Sequence, residues 1–205
     1  MAKQVFSSAY HNAGWDGDYM LLAHEIPKKE LKWFEDKGIL VKNCYPLGFK
    51  SFDYFSDAVA LDKFYLFTKE FIKWETVIYV DADTRINAPL FHLKKVSSFS
   101  ACTDLFFNKL ESHINTPEKF NKETDYKYKL KSKCFNSGVF AFKTKSIIGK
   151  NTFKELWYLF HEYHNETKYM DQSTLNFYFY NKWNKLPVSF NTYICNFTEK
   201  TSLKI

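Results

Sequence analysis

Thr76-Val77-Ile78-Tyr79-Val80-Asp81-Ala82-Asp83 decides how this chain reads. Its first five residues are all β-branched or aromatic, the composition of a buried strand. The chain turns acidic at the point where that strand should end. Two carboxylates one residue apart repel by ~4 kcal/mol at 4 Å and an effective dielectric near 20. A divalent cation removes that penalty, and Mg²⁺ or Mn²⁺ prefers such oxygen ligands. An acidic loop left to solvent is the plain alternative, but α/β sheets bind ligands beyond the carboxyl ends of their strands, where this pair stands.

Outward from that strand the chain alternates between two periods. On the N-terminal side, Asp18–Ala23 is a short apolar run after the turn residues Asp16-Gly17, suited to a strand. Pro27 opens a helix marked by Leu31, Phe34 and the closing Gly38. Ile39-Leu40-Val41 follows as a second strand, and Ser56 caps a helix to about Lys69 with Val59, Ala60, Phe64 and Phe67 on one face. On the C-terminal side, Phe99–Thr103 and Val139–Phe142 read as strands. Thr152 and Glu155 have capping-box spacing before a helix carrying Phe153, Leu156, Trp157, Phe160 and Tyr163, and Asp171 caps another through Tyr180. Strands alternating with helices predict an α/β fold with a mostly parallel sheet flanked by helices. With 205 residues and no repeat or Pro/Gly-rich linker, residues 1–205 are expected to form one domain.

Composition removes several function classes. At 45% apolar and 25% charged the chain is an ordinary globular one, which excludes disorder. Its longest apolar runs are five residues, Tyr19–Ala23 and Leu156–Phe160, far short of the ~18 that span a bilayer. The N-terminus lacks the apolar core of a secretion signal, so a cytoplasmic location is expected. The net charge of +6 comes from Lys, with Arg85 the only arginine. Readers of nucleic acid lean on Arg for bidentate contacts, so no nucleic-acid partner is expected. Cys44, Cys102, Cys134 and Cys195 form no C-x-x-C pair and read as reduced, mostly buried thiols. His161 and His164 lie one helical turn apart on an aromatic helix, where packing is the expected role.

Two enzyme classes place D-x-D after an apolar strand. In haloacid-dehalogenase-type phosphatases a Thr stands two residues after the second Asp; here that position is Arg85, and the motif lies about 80 residues into the chain instead of at its start. The other class fits further. The stretch from Val77 to Leu93, VIYVDADTRINAPLFHL, resembles the Y-x-D-A-D-T…L-F stretch of glycosyltransferase family 8, the group of glycogenin and bacterial galactosyl- and glucosyltransferases. Lys63-Phe64 resembles that family's Lys-Leu ahead of the strand, and Phe135-Asn136-Ser137-Gly138-Val139 its F-N-S-G-V turn. Asp171-Gln172 with Leu175-Asn176 matches its D-Q-x-x-L-N helix start, and Leu186-Pro187 with Asn191 its L-P-x-x-Y-N.

The resemblance implies a GT-A fold and a retaining transfer of a hexose from a nucleotide sugar, UDP-linked, to a glycan, lipid or protein acceptor. It implies that Asp81 and Asp83 hold Mn²⁺ or Mg²⁺ against the donor diphosphate. Lys63, Ala82, Asp104, Asn136, Ser137 and Gly138 are then donor-binding residues, and Asp171 and Gln172 lie beneath the sugar as the catalytic pair. The metal would act as a Lewis acid on the departing diphosphate. The family's first strand and its late His-bearing segment, source of a third metal ligand, find no counterpart here. They are expected to be missing or divergent, with the cation completed by nucleoside diphosphate oxygens. The rival readings are a non-catalytic nucleotide- or glycan-binding relative and, further off, the phosphatase.

Overall fold

The computed structural model describes residues 1–45, 59–124, 126–149 and 151–193. The elements run α1 (Ala2–Asn12), β1 (Met20–His24), α2 (Lys28–Glu35), β2 (Leu40–Cys44), a 3-10 segment (Leu61–Phe67) and β3 (Thr76–Val80). Then come β4 (Ser100–Thr103), α3 (Pro117–Glu123), β5 (Phe135–Lys143), α4 (Thr144–Ile147), α5 (Thr152–Tyr163), α6 (Met170–Tyr178) and β6 (Asn184–Leu186). The expected α/β class is the one observed. β1 and β2 pair in parallel, and a second sheet has the order β3-β5-β4-β6. In that sheet β4 and β6 are parallel while β5 runs against both β3 and β4, so three of its four strands share one direction. No helix among the described residues is long and apolar enough to cross a membrane.

Phenylalanine fills the space between sheet and helices. Phe64, Phe67, Phe99, Phe140, Phe142 and Phe160 are fully buried in one cluster that joins the 3-10 segment, β5 and α5. The Phe99 and Phe179 rings stack with centroids 3.9 Å apart. α2 follows the sequence reading: it starts after Pro27, buries Leu31 and Phe34, and stops before Gly38, whose φ of +71° only glycine adopts readily. The chain opens on a helix, Ala2–Asn12, where the family resemblance would have a first strand. β1 and β3 each keep one edge without a strand partner among the described residues, and both border a cavity of about 570 Å³ roofed by Val5, Phe6 and Ala9 of α1.

Several local expectations change. The proposed cap Ser56 lies outside the described residues, and from Leu61 the chain winds as a 3-10 helix buried at every position except Tyr65. That all-round burial reflects the polar partners of Asp62 and Lys63, which an amphipathic helix with one apolar face would not supply. Thr152 forms no capping box; its hydroxyl reaches back to the Ile147 carbonyl and accepts the Gly149 N–H. Residues 135–138 are no turn but the first part of β5. The β4–β5 register jumps from Ala101↔Phe140 to Thr103↔Phe135, so Asn136, Ser137 and Gly138 fall in an irregular, bulged stretch of strand.

Cutting Phe99 to Ala removes a ring with no solvent exposure and is expected to cost about 3–5 kcal/mol in urea unfolding. Burial pushes the thiols of Cys44 and Cys134 up to about 12 and that of Cys102 up to about 11. These groups stay protonated until the pH approaches those values. Mass spectrometry after iodoacetamide treatment at about pH 8 should show all three unmodified in the native protein and alkylated after denaturation.

Candidate active site

Three chain segments meet at one edge of the second sheet because β5 is reversed. β3 and β4 end there with Asp81 and Asp104, and β5 begins there with Asn136, Ser137 and Gly138. The Asp81 N–H donates to the Gly138 carbonyl at 2.8 Å, which fixes the first acidic residue against the bulged strand. The first turn of α6 adds Asp171 and Gln172, both buried.

The centre of the site is an ammonium. Lys63 Nζ lies 2.8 Å from Asp171 Oδ2 and 3.2 Å from Asp81 Oδ1, and donates to Ser137 Oγ at 3.3 Å. The Ser137 hydroxyl itself donates to Asp171 Oδ2 at 2.8 Å. Burial alone would pull the Lys63 ammonium toward neutrality, but the charges of Asp171 and Asp81 outweigh it and hold it above its ordinary value. Lys63 also sits 5.2 Å from the centroid of the Tyr79 ring, and the Tyr79 hydroxyl donates to Asp81 Oδ1 at 2.7 Å. Burial, then the Asp81 charge, push that phenol well above its usual range. Asp81 itself is raised by burial, partly offset by Lys63 and Tyr79.

Beside this cluster lies a network of amides. Gln172 Oε1 accepts from the Ser137 N–H and Asn136 Nδ2, each at 3.0 Å, and Gln172 Nε2 donates to Asp104 Oδ2 at 3.0 Å. A backbone donor on one side and a carboxylate on the other leave the Gln172 amide a single orientation. Asp104 is oriented in turn by the Phe106 and Phe107 N–H groups, both 2.8 Å from Oδ1. Asn136 Oδ1 accepts from Gly138 N–H and Asn191 Nδ2, and its Nδ2 donates to the Tyr193 hydroxyl at 2.7 Å.

Lys63, Asp81, Asp104, Asn136, Ser137, Asp171 and Gln172 therefore belong to one connected set of polar groups. Asp171 is not the cap of its helix: Tyr169 holds that position, and the Asp171 carboxyl points to Lys63 and Ser137. Ala82 and Asp83 are exposed beside Asp81 and stand outside the hydrogen-bonded set. A Cβ on Gly138 would fall 2.9 Å from Asp81 Oδ2 and 2.9 Å from Asn136 Oδ1, so glycine leaves room beside Asp81 Oδ2 and for the hydrogen bonds that Asn136 Oδ1 accepts. Asp81 and Asp83 are the carboxylates that could hold a hard cation. Among the described residues no group of three or more His, Cys, Asp or Glu gathers for a metal. His161 and His164 pack in the aromatic cluster of α5, with His161 4.5 Å from the Trp157 ring.

The sequence reading gave some participants no role. Tyr79 shares a strand face with Asp81 at the two-residue period, a signal that was present. Asn176, one helical turn after Gln172, clamps the backbone of Phe135 by accepting its N–H at 2.9 Å and donating to its carbonyl at 2.8 Å. His24 and Asp62 form a buried pair at 3.0 Å beside Lys63, joining the end of β1 to the 3-10 segment. Nothing in the local pattern announces Tyr193 or that pair.

Comparison with known proteins follows the same lines. The family model described as glycosyl transferase family 8 matches residues 22–205. No curated protein matches the chain by sequence. Among solved structures, an active-site mutant of LgtC superposes with a TM-score of 0.71 at 16% identity, over 99% of this chain and 74% of that one. The bifunctional glycosyltransferase WbbM gives 0.64 at 18% identity over 91% of this chain and 36% of its own. The apo glycosyltransferase GlyE of Streptococcus pneumoniae TIGR4 gives 0.61 at 16% identity over 92% of this chain and 42% of its own. The chain thus spans about two fifths or less of the length of WbbM and GlyE. At these identities the likeness is one of fold.

Replacing Asn176 with Ala strands a buried donor and a buried acceptor at Phe135. We expect about 1–3 kcal/mol lost for each stranded group in urea unfolding.

Proposed function

The chain belongs to glycosyl transferase family 8, and from that premise we propose that it transfers a hexose from a UDP-sugar to a glycan, lipid or protein hydroxyl, with retention of configuration and with Mn²⁺ or Mg²⁺. The observation that carries the reading is the linkage of Asp171 and Gln172 on α6, through Lys63 and Ser137, to Asp81 at the end of β3. Residues more than a hundred positions apart are brought together in a polar cluster at the edge where α/β sheets bind ligands.

The donor set suits a hard cation. Asp81 and Asp83 offer only oxygen, and Gly138 leaves Asp81 Oδ2 uncovered. Two carboxylates plus substrate phosphates is a usual shell for such ions. When bound, the cation would neutralise charge on the departing diphosphate. The chain's own residues do the rest. Lys63 stays charged because Asp171 and Asp81 outweigh its burial, and so offers the diphosphate a fixed positive charge. Asn136 and Gln172 hold their amides in set orientations and can trade present partners for sugar hydroxyls without rotating. Asp171 would serve the reacting carbon, either as nucleophile or as electrostatic support for front-face attack, since it is the motif carboxylate suited to that role.

The test is turnover of UDP-glucose and UDP-galactose, followed by mass spectrometry with and without Mn²⁺. The expected result is Mn²⁺-dependent UDP release that falls roughly 10²-fold in Asp83→Asn and in Asp171→Asn, with folding retained. Tight UDP binding without turnover would make the protein a non-catalytic relative. Phosphate release from a simple phosphomonoester, with no nucleotide sugar present, would restore the phosphatase.

A further inference from the structure

We propose that Lys63 is the resident cation of this site: in the donor-free protein its ammonium neutralises Asp81 and Asp171, holds a divalent metal off Asp81, and yields that carboxylate only when a nucleoside diphosphate arrives with the metal. The proposal rests on the metal-dependent reading above and adds a cause for when the metal binds.

The geometry carries it. Lys63 Nζ contacts Asp81 Oδ1 at 3.2 Å, so the carboxylate a cation would need is already ion-paired. The same oxygen takes the Tyr79 hydroxyl at 2.7 Å, which leaves Asp81 doubly satisfied on one side. A divalent ion on the remaining oxygen would sit beside an ammonium whose side chain is only 9% exposed, while the Asp81 side chain is 34% exposed. Like charges that close repel, and water screens them only from the Asp81 side. Lys63 has a second anchor, however. Asp171 Oδ2 at 2.8 Å is the closer partner, and Ser137 Oγ is within 3.3 Å. Loss of the Asp81 contact therefore does not leave the ammonium stranded in the interior.

A nucleoside diphosphate resolves the conflict. Its phosphate oxygens complete the shell of a metal that has few protein ligands, and they also give the ammonium a new anion. Metal and nucleotide then stabilise each other's binding, and a lone metal finds the site closed by charge. This differs from a mere shortage of ligands. If shortage were the only cause, removing Lys63 would not help a lone metal to bind.

Calorimetric titration of Mn²⁺ into wild type and Lys63→Gln, each with and without UDP, separates the cases, with Asp81→Asn as the blank. Without UDP, Lys63→Gln should bind Mn²⁺ at least tenfold more tightly than wild type, and UDP should strengthen Mn²⁺ binding less in the variant than in wild type. Equal UDP-free affinities, with UDP-dependent Mn²⁺ binding intact in wild type, overturn the role of Lys63 and leave the metal reading standing. No Mn²⁺ binding by wild type at saturating UDP overturns the metal reading itself. Should Lys63→Gln fail to fold, the unmodified protein serves, labelled with ¹⁵N-lysine and observed at the buried Lys63 ammonium. Mg²⁺ and UDP together should move that resonance while Mg²⁺ alone does not, and a resonance unmoved by saturating Mg²⁺ and UDP overturns the proposal.

Discussion

A buried ammonium between two carboxylates holds this site together. Lys63 comes from the 3-10 segment, Asp81 from the end of β3, Ser137 from β5 and Asp171 from α6, so one charge ties four elements at a single point. Taking such an ion out of water costs several kcal/mol, and only close partners offset that cost. Asp171 and Ser137 are enough to hold the ammonium, and Asp81 adds a third partner. A site fixed in this way suits the proposed role of holding a diphosphate and a sugar in set relation.

The rest of the fold can be read as support for that point. β5 runs against its neighbours, which brings its first residues to the edge where β3 and β4 finish. Its pairing with β4 is irregular across Asn136–Gly138, whose polar groups enter the network, and Asn176 clamps the backbone of Phe135, which stays in register with Thr103. Beneath lies a wall of phenylalanine rings, Phe64, Phe67, Phe99, Phe140 and Phe142, with no polar atoms to compete for the network above. The 3-10 segment shows the two demands side by side. Phe64 and Phe67 face the aromatic core, while Asp62 and Lys63 turn to His24 and to the acidic pair.

Elements with a strong period were legible in the sequence. β3 occupies the five residues expected of it, and α2 has the expected start, buried face and glycine stop. The residues of the polar cluster were legible as ordered motifs, because most of them are polar groups at the ends of elements. What escaped was set by distant partners. The segment Phe135–Gly138 reads as a turn by composition, since Asn, Ser and Gly favour turns. Tertiary pairing with β3 and β4 overrides that preference. Asp171 has the look of a cap, yet its carboxyl is claimed by a lysine 108 positions away. The capping-box spacing at Thr152 failed for a similar reason, its hydroxyl being taken by the chain just before it. Local pattern names the residue; only the fold names its partner.

The central claim is that the carboxylates after β3 and the polar cluster on α6 serve one donor molecule. Anomalous diffraction from crystals grown with Mn²⁺ and a non-hydrolysable UDP-hexose addresses it directly. The account predicts a manganese peak within bonding distance of Asp81, Asp83 and the diphosphate, with the hexose against Asn136, Asp171 and Gln172. Manganese or nucleotide bound away from Asp81, or a hexose out of reach of Asp171, would contradict it.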